Sequence, residues 1–122
     1  MEEKKALILI AHGSRVKKTS EEMDALVGKL EKKSTGFAVK GAFMELQQPD
    51  LFSTVDELVG QGVSHIWVLP LFIFEGRHMR EDIPQQVEDC RERYAQCKFD
   101  LLGHIGSENV FVEALGSLLE IL

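Results

Sequence analysis

Four short apolar runs alternate along the chain with four amphipathic stretches. The runs are Ala6–Ala11, Ala38–Met44, His65–Phe72 and Lys98–Leu102. The first and third are nearly continuous in apolar residues, the pattern of central parallel strands covered on both faces, and the second and fourth are more broken, as edge strands are. The stretches between them carry a 3.6-residue rhythm. Met23, Leu26, Val27 and Leu30 form one stripe, and Leu51, Val55, Leu58 and Val59 form another, opened by Pro49 and closed near Gly60 or Gly62. Ile83, Val87, Cys90 and Tyr94 form a third, with Asp82 expected as its N-cap and Pro84 in its first turn. Phe111, Leu115, Leu118, Leu119 and Leu122 form the last, with Ser107 as the expected cap. This βαβαβαβα order predicts one α/β domain spanning residues 1–122, a doubly wound four-stranded parallel sheet with right-handed crossovers and helices on both faces. Four strands make a thin sheet, so a second copy of the chain is expected to cover an exposed edge or face.

Composition narrows the function. A net charge of −6 argues against a nucleic-acid partner, which needs a basic face to displace counterions. It leaves room for a small anionic ligand held by a local basic cluster. The longest apolar stretch, Ile66–Phe74, is too short to span a bilayer, so no membrane partner is expected. The charged opening MEEKK has no apolar signal region, and a cytoplasmic location is expected. Cys90 and Cys97 form no C-x-x-C pair, which predicts reduced, semi-buried thiols rather than a zinc or redox motif.

Open parallel sheets bind ligands beyond the carboxyl ends of their strands. Just past the first run stands His12-Gly13-Ser14-Arg15, past the second Glu45 with Gln47 and Gln48, and past the third Glu75-Gly76-Arg77-His78-Met79-Arg80. Taken singly, each candidate has a plain structural explanation: a histidine bonded to a loop, an acid at a helix N-terminus. Together, two histidines and a carboxylate converge on one rim, and that donor set suits Fe, Co, Ni or Zn, while a neutral histidine also accepts a proton. Arg15 and Arg77 add positive charge beside the histidines, and Phe72, Phe74 and Met79 are expected as an apolar wall. His104 follows the fourth run and lies on the same rim, whereas His65 starts the third run at the opposite end and is expected to be structural or exposed. No glycine-rich nucleotide motif is present, and Ala11 stands where a phosphohistidine phosphatase needs arginine before His-Gly.

Three landmarks in order carry a family resemblance: LIAHGSR at 9–15, AFMELQQP at 42–49, and VLPLFIFEGRH at 68–78 followed by Asp82-Ile83-Pro84. The chain resembles the short form of the sirohydrochlorin cobaltochelatases, relatives of the sirohydrochlorin ferrochelatases in the wider chelatase group, along essentially its whole length. The resemblance implies a flavodoxin- or Rossmann-like doubly wound fold, a homodimer in which two units face each other across a cleft, and insertion of a divalent metal into a sirohydrochlorin-type tetrapyrrole. Cobalt leads, with iron or nickel as alternatives; the ion is a substrate, and no permanently bound cofactor is implied. By the same resemblance His12, Glu45 and His78 handle metal and protons; the local polar and positive groups Ser14, Arg15 and Arg77 are the expected anchors for peripheral carboxylates. The alternative reading is a non-catalytic tetrapyrrole or metal carrier that uses the same rim.

Overall fold

A computed structural model of the protein describes residues 3–34 and 36–122, apart from the side chain of His78. Its strands are β1 (Lys5–Ala11), β2 (Phe37–Phe43), β3 (His65–Pro70) and β4 (Lys98–Leu101). They pair in parallel in the order β2-β1-β3-β4, so the two most apolar runs are central and the two broken ones are edges, as the sequence leads one to expect. The helices are α1 (Lys17–Lys33), α2 (Leu51–Gly60), α3 (Arg77–Arg93) and α4 (Asn109–Ile121), with a 3-10 turn over Ile105–Ser107 leading into the last.

Strand alternation divides the core. Ala6, Ile8 and Ile10 of β1, with Ile66 and Val68 of β3, point to the face covered by α2 and α3. There they pack on Leu51, Val55 and Leu58 of α2 and on Ile83, Val87 and Cys90 of α3. Leu7, Leu9 and Ala11 point the other way, to Met23, Val27 and Leu30 of α1. Both thiols are free and buried; burial pushes Cys90 up to about 11 and raises Cys97, which fits inert core thiols.

Three local expectations are corrected. α3 starts at Arg77 behind Gly76, not behind Asp82, so Pro84 lies in the helix interior. Proline removes one helical hydrogen bond. Here Pro84 faces solvent and the residue whose carbonyl loses its donor, Arg80, is also exposed, so water can take the missing place. Asp50 rather than Pro49 caps α2, its carboxylate accepting from the Ser53 amide at 2.9 Å. Ser107 belongs to the 3-10 turn and Glu108 occupies the N-cap of α4. The apolar stripe of α4 is helical as expected, but the helix buries none of its residues.

The Asp50 cap generates a stability prediction. The Ser53 amide and hydroxyl hold its carboxyl below the ordinary carboxylate value, so its contribution is present above the unfolded pKa and is lost as pH falls through the depressed one. Asp50→Ala is expected to cost about 1 kcal/mol at neutral pH. Asp50→Asn should keep most of the cap and weaken the acid dependence. Urea denaturation at neutral and acid pH tests both.

Candidate active site

The order β2-β1-β3-β4 means that the chain travels one way across the sheet from β1 to β2 and the other way thereafter. Where that direction reverses, between β1 and β3, the helices on opposite faces diverge and leave a crevice beyond the strands' carboxyl ends. His12 follows β1 and His78 follows β3, so the two expected histidines flank this crevice.

The β1–β2 ladder runs past the strands into the loops. The Met44 amide donates to the Ala11 carbonyl at 2.7 Å and the Glu45 amide to the His12 carbonyl at 3.1 Å. That approach requires glycine at position 13, where φ is +105° and a Cβ would overlap the Glu45 carbonyl oxygen. Gln47 ties the same loops: its Oε1 accepts from the Ser14 amide at 2.7 Å and its Nε2 donates to Ser20 Oγ at 2.7 Å. Leu46 between them has φ +70°, a conformation rare outside glycine and asparagine. These constraints set His12 Nε2 2.8 Å from Glu45 Oε1, with the two side chains 49% and 55% exposed. A half-exposed nitrogen and carboxylate can exchange a proton or a hydrated ion with solvent.

On the other side of the crevice, the Leu71 amide donates to the Ile10 carbonyl at 2.8 Å and starts the loop to α3. The backbone of His78 lies in the first turn of α3; its side chain lies outside the described residues. Arg77 is almost fully exposed, its Nε 3.8 Å from Glu81. Arg15 is exposed on the β1–α1 loop, and Ser14 is half-buried with Oγ accepting from the Val16 amide at 3.0 Å. Glu75 joins two groups that the sequence kept apart, standing 2.8 Å from Arg80 Nε and 4.0 Å from His104 Nδ1. Spacing could not show this junction, because β4 and α3 meet there only through the fold. It does bear out the placement of His104 on this rim.

The apolar wall is rearranged. Met79 is buried and Phe72 packs against the core, whereas Phe74 is 85% exposed. Ile73, Leu46 and Val16, which the sequence reading did not single out, are also exposed on the rim loops. Such residues suit contact with a flat apolar face. His65 is buried at the far end of β3, its Nε2 2.6 Å from Asp100, with its ring stacked on Trp67. This histidine bond holds the Asp100 carboxyl below its ordinary value, and burial and stacking make His65 a packing residue, the first of the two expectations. Among the described residues no group of three or more His, Cys, Asp or Glu is arranged to hold a metal ion.

Residues 6–121 match the CbiX family model. The sirohydrochlorin ferrochelatase of Bacillus subtilis (strain 168) is 30% identical over 112 residues, which are 92% of this chain and 43% of that protein. The sirohydrochlorin cobaltochelatase of Methanococcoides burtonii is 33% identical over 85 residues, 70% of this chain and 65% of that protein. Among solved structures, a cobalamin (vitamin B12) biosynthesis CbiX protein from Marinobacter aquaeolei VT8 gives a TM-score of 0.80 at 29% identity, covering 95% of this chain and 94% of that one. The sirohydrochlorin chelatase SirB from Bacillus subtilis subspecies spizizenii, in complex with cobalt, gives 0.80 at 28% identity, covering 98% of this chain and 51% of that one. The chain spans about half the length of the first two curated relatives it matches, 43% and 51%.

The tight turn can be tested apart from any activity. Gly13→Ala is expected to destabilise the protein by about 1–3 kcal/mol, the order of cost of forcing a side chain into a left-handed, crowded position. Gly28→Ala, in α1 with nothing within 4 Å of an added Cβ, should leave stability unchanged or raise it by up to about 1 kcal/mol. Equal urea midpoints for the two variants would refute the claim that Gly13 holds the His12–Glu45 geometry.

Proposed function

The chain belongs to the CbiX family, and on that premise we propose that it inserts a divalent metal ion into a sirohydrochlorin-type tetrapyrrole. The observation that carries the reading is the His12–Glu45 pair, 2.8 Å apart and open to solvent at the reversal point of the sheet, beside the helix turn that bears His78. Insertion exchanges two pyrrole N–H protons for one divalent ion, so the site must receive an ion, shed its waters and take up protons. An imidazole next to a carboxylate can do either job. If Nε2–H faces Glu45, the lone pair on Nδ1 serves the ion or a pyrrole proton, and the carboxylate stabilises the charge that the ring acquires. His78 acts from the β3 side of the crevice.

Ser14, Arg15 and Arg77 are assigned to the peripheral carboxylates of the ring, with Phe74 and Ile73 against its apolar face. Arg15 is exposed on the β1–α1 loop and Arg77 at the first residue of α3, both beside the crevice, which supports the assignment. Arg80 is engaged with Glu75 and is assigned no such role. Cobalt is the leading ion, with iron or nickel as alternatives, since imidazole and carboxylate suit all three. We further infer a cytoplasmic homodimer, because one four-stranded unit supplies one wall of a cleft. Among the described residues no helix is long and apolar enough to cross a membrane.

The deciding experiment is anaerobic incubation of the protein with sirohydrochlorin and each metal, followed by absorption spectroscopy. His12→Ala and His78→Ala should each slow insertion by on the order of 100-fold, the scale of a lost acid–base group, while the fold persists. Glu45→Gln should slow it as well. Binding without turnover above the spontaneous rate would instead identify a carrier, the alternative reading, and normal rates from both histidine variants would remove the proposal.

Arg15→Ala and Arg77→Ala should mainly raise KM, because an anchor remote from the ring nitrogens holds ground and transition states alike. Arg80→Ala should change KM less. Added salt should weaken binding in the parent more than in the first two variants, exposed charges being screened over about 8 Å at physiological ionic strength. Sedimentation of a fully active monomer would defeat the homodimer.

A further inference from the structure

Parallel sheets are covered on both faces. Here α2 and α3 cover one face, but the cluster on the other holds one helix, α1, with residues of β1 and β2 and, at the carboxyl end of β3, Leu69 and Leu71. Beside α1 lies an open apolar groove of about 460 Å³, floored by Leu7, Phe37, Val39 and Trp67 and flanked by Leu30 of α1 and Leu102 after β4. Among the described residues its one charged lining residue is Lys33.

The same chain carries a helix with no surface to sit on. In α4, Phe111, Leu115, Leu118 and Leu122 fall on one side, with Val112, Ala114, Leu119 and Ile121 flanking them, and Glu113 and Glu120 fall opposite. The apolar arc is about half the circumference, yet Leu115, Leu118, Leu119, Ile121 and Leu122 are all exposed. Thirteen residues make a helix about 20 Å long, which matches the length of a six-residue strand such as β3.

The connector explains why α4 does not lie in its own groove. The 3-10 turn over Ile105–Ser107 is pinned to the loop after β3: the Gly106 amide donates to the Phe72 carbonyl at 3.0 Å, and a Cβ at Gly106 would overlap the Ile73 carbonyl. Ser107 Oγ donates to the His104 carbonyl at 2.7 Å. This turn launches α4 from the carboxyl rim and away from the sheet. We propose that α4 of each copy fills the apolar groove of a second copy, in a reciprocal exchange that covers the bare half of both sheets. The proposal deepens the homodimer inferred above and rests on it. Lys33 at the groove's edge complements a helix whose only charged side chains are acidic.

Trp67 is the only tryptophan and lies in the groove, so its emission reports occupancy. The wavelength of the maximum is the readout, because the stacked His65 ring affects intensity. In the parent protein, dilution through the dimer dissociation constant should halve the mass seen by light scattering and shift the emission to the red together. The double variant Leu115→Asp/Leu118→Asp should be monomeric with red-shifted emission at all concentrations, and its own core should survive because Leu115 and Leu118 are exposed within their own chain. The milder Leu118→Ala should raise the dimer dissociation constant at least about tenfold, a loss usual for a central interface leucine.

Mixing the double-Asp chain with a Trp67→Phe chain decides between exchange and folding back. The first supplies the only fluorescent groove and the second the only intact α4, so a return to blue emission on mixing requires docking in trans. A parent that is monomeric with blue emission at every dilution, or a double-Asp variant that remains dimeric with parental emission, would overturn the proposal. Neither readout depends on metal insertion, so failure here leaves the chelatase reading standing, and failure of that reading leaves mass and emission unaltered.

Discussion

A parallel connection closes in one hand, so the direction in which the chain crosses the sheet decides which face its helix covers. From β1 to β2 the chain moves one way, and from β2 to β3 to β4 it moves the other. α1 is therefore alone on one face while α2 and α3 share the opposite one. Both the crevice between β1 and β3 and the bare strip beside α1 follow from this reversal. The chemistry and the incomplete surface are consequences of the same winding.

Within the crevice, backbone constraints do the positioning. His12 and Glu45 come from neighbouring strands whose ladder continues into the loops, and the turn at Gly13 leaves no space for a side chain. The protein contains a second histidine–carboxylate pair of similar length, His65 with Asp100, and the contrast is informative. His65 is buried, stacked on Trp67 and also 3.5 Å from Glu3, so its ring is fixed in one environment. His12 and Glu45 are about half exposed, where water and ions have access. The same functional groups form a buried staple at one end of the sheet and a pair open to water and ions at the other, and solvent access makes the difference.

Much of this was legible in the sequence, because strand burial and rim position leave periodic and positional marks. The continuity of Ala6–Ala11 and His65–Phe72 placed β1 and β3 at the centre, and the residues following each run fell on one rim. The start of α3 was misread because Asp82 and Pro84 together imitate a helix N-terminus. A proline on the solvent face of a helix is tolerable when water can reach the carbonyl it orphans, and a single sequence does not reveal which face that is. Met79 and Phe74 are equally apolar in sequence, yet the helix start at Arg77 turns the first inward and leaves the second on the loop. The Glu75 contacts with Arg80 and His104 depend on β4 lying beside β3, a long-range pairing with no local signature. The side chain of His78 lies outside the described residues, and the role proposed for it rests on its position after β3 and the family landmarks.

The helix α4 shows how a correct reading of pattern can give an incomplete reading of structure. Its stripe predicted a buried face, and periodicity does not say which molecule buries it. Singly exposed leucines are ordinary on small proteins. A contiguous exposed arc from Leu115 to Leu122 is different, because it coexists with a groove of matching character on the same chain. A chain of 122 residues has little core to spare, and leaving both surfaces in water would forfeit a large part of it. The turn that launches α4 is bonded to the β3–α3 loop at Phe72 and stands beside His104, on the rim that carries the candidate site. Docking α4 into a second copy would therefore constrain the loop that precedes His78. On this arrangement completion of the hydrophobic core and assembly of a second wall for the ligand are coupled, and the rim becomes fully shaped only when the sheets are covered.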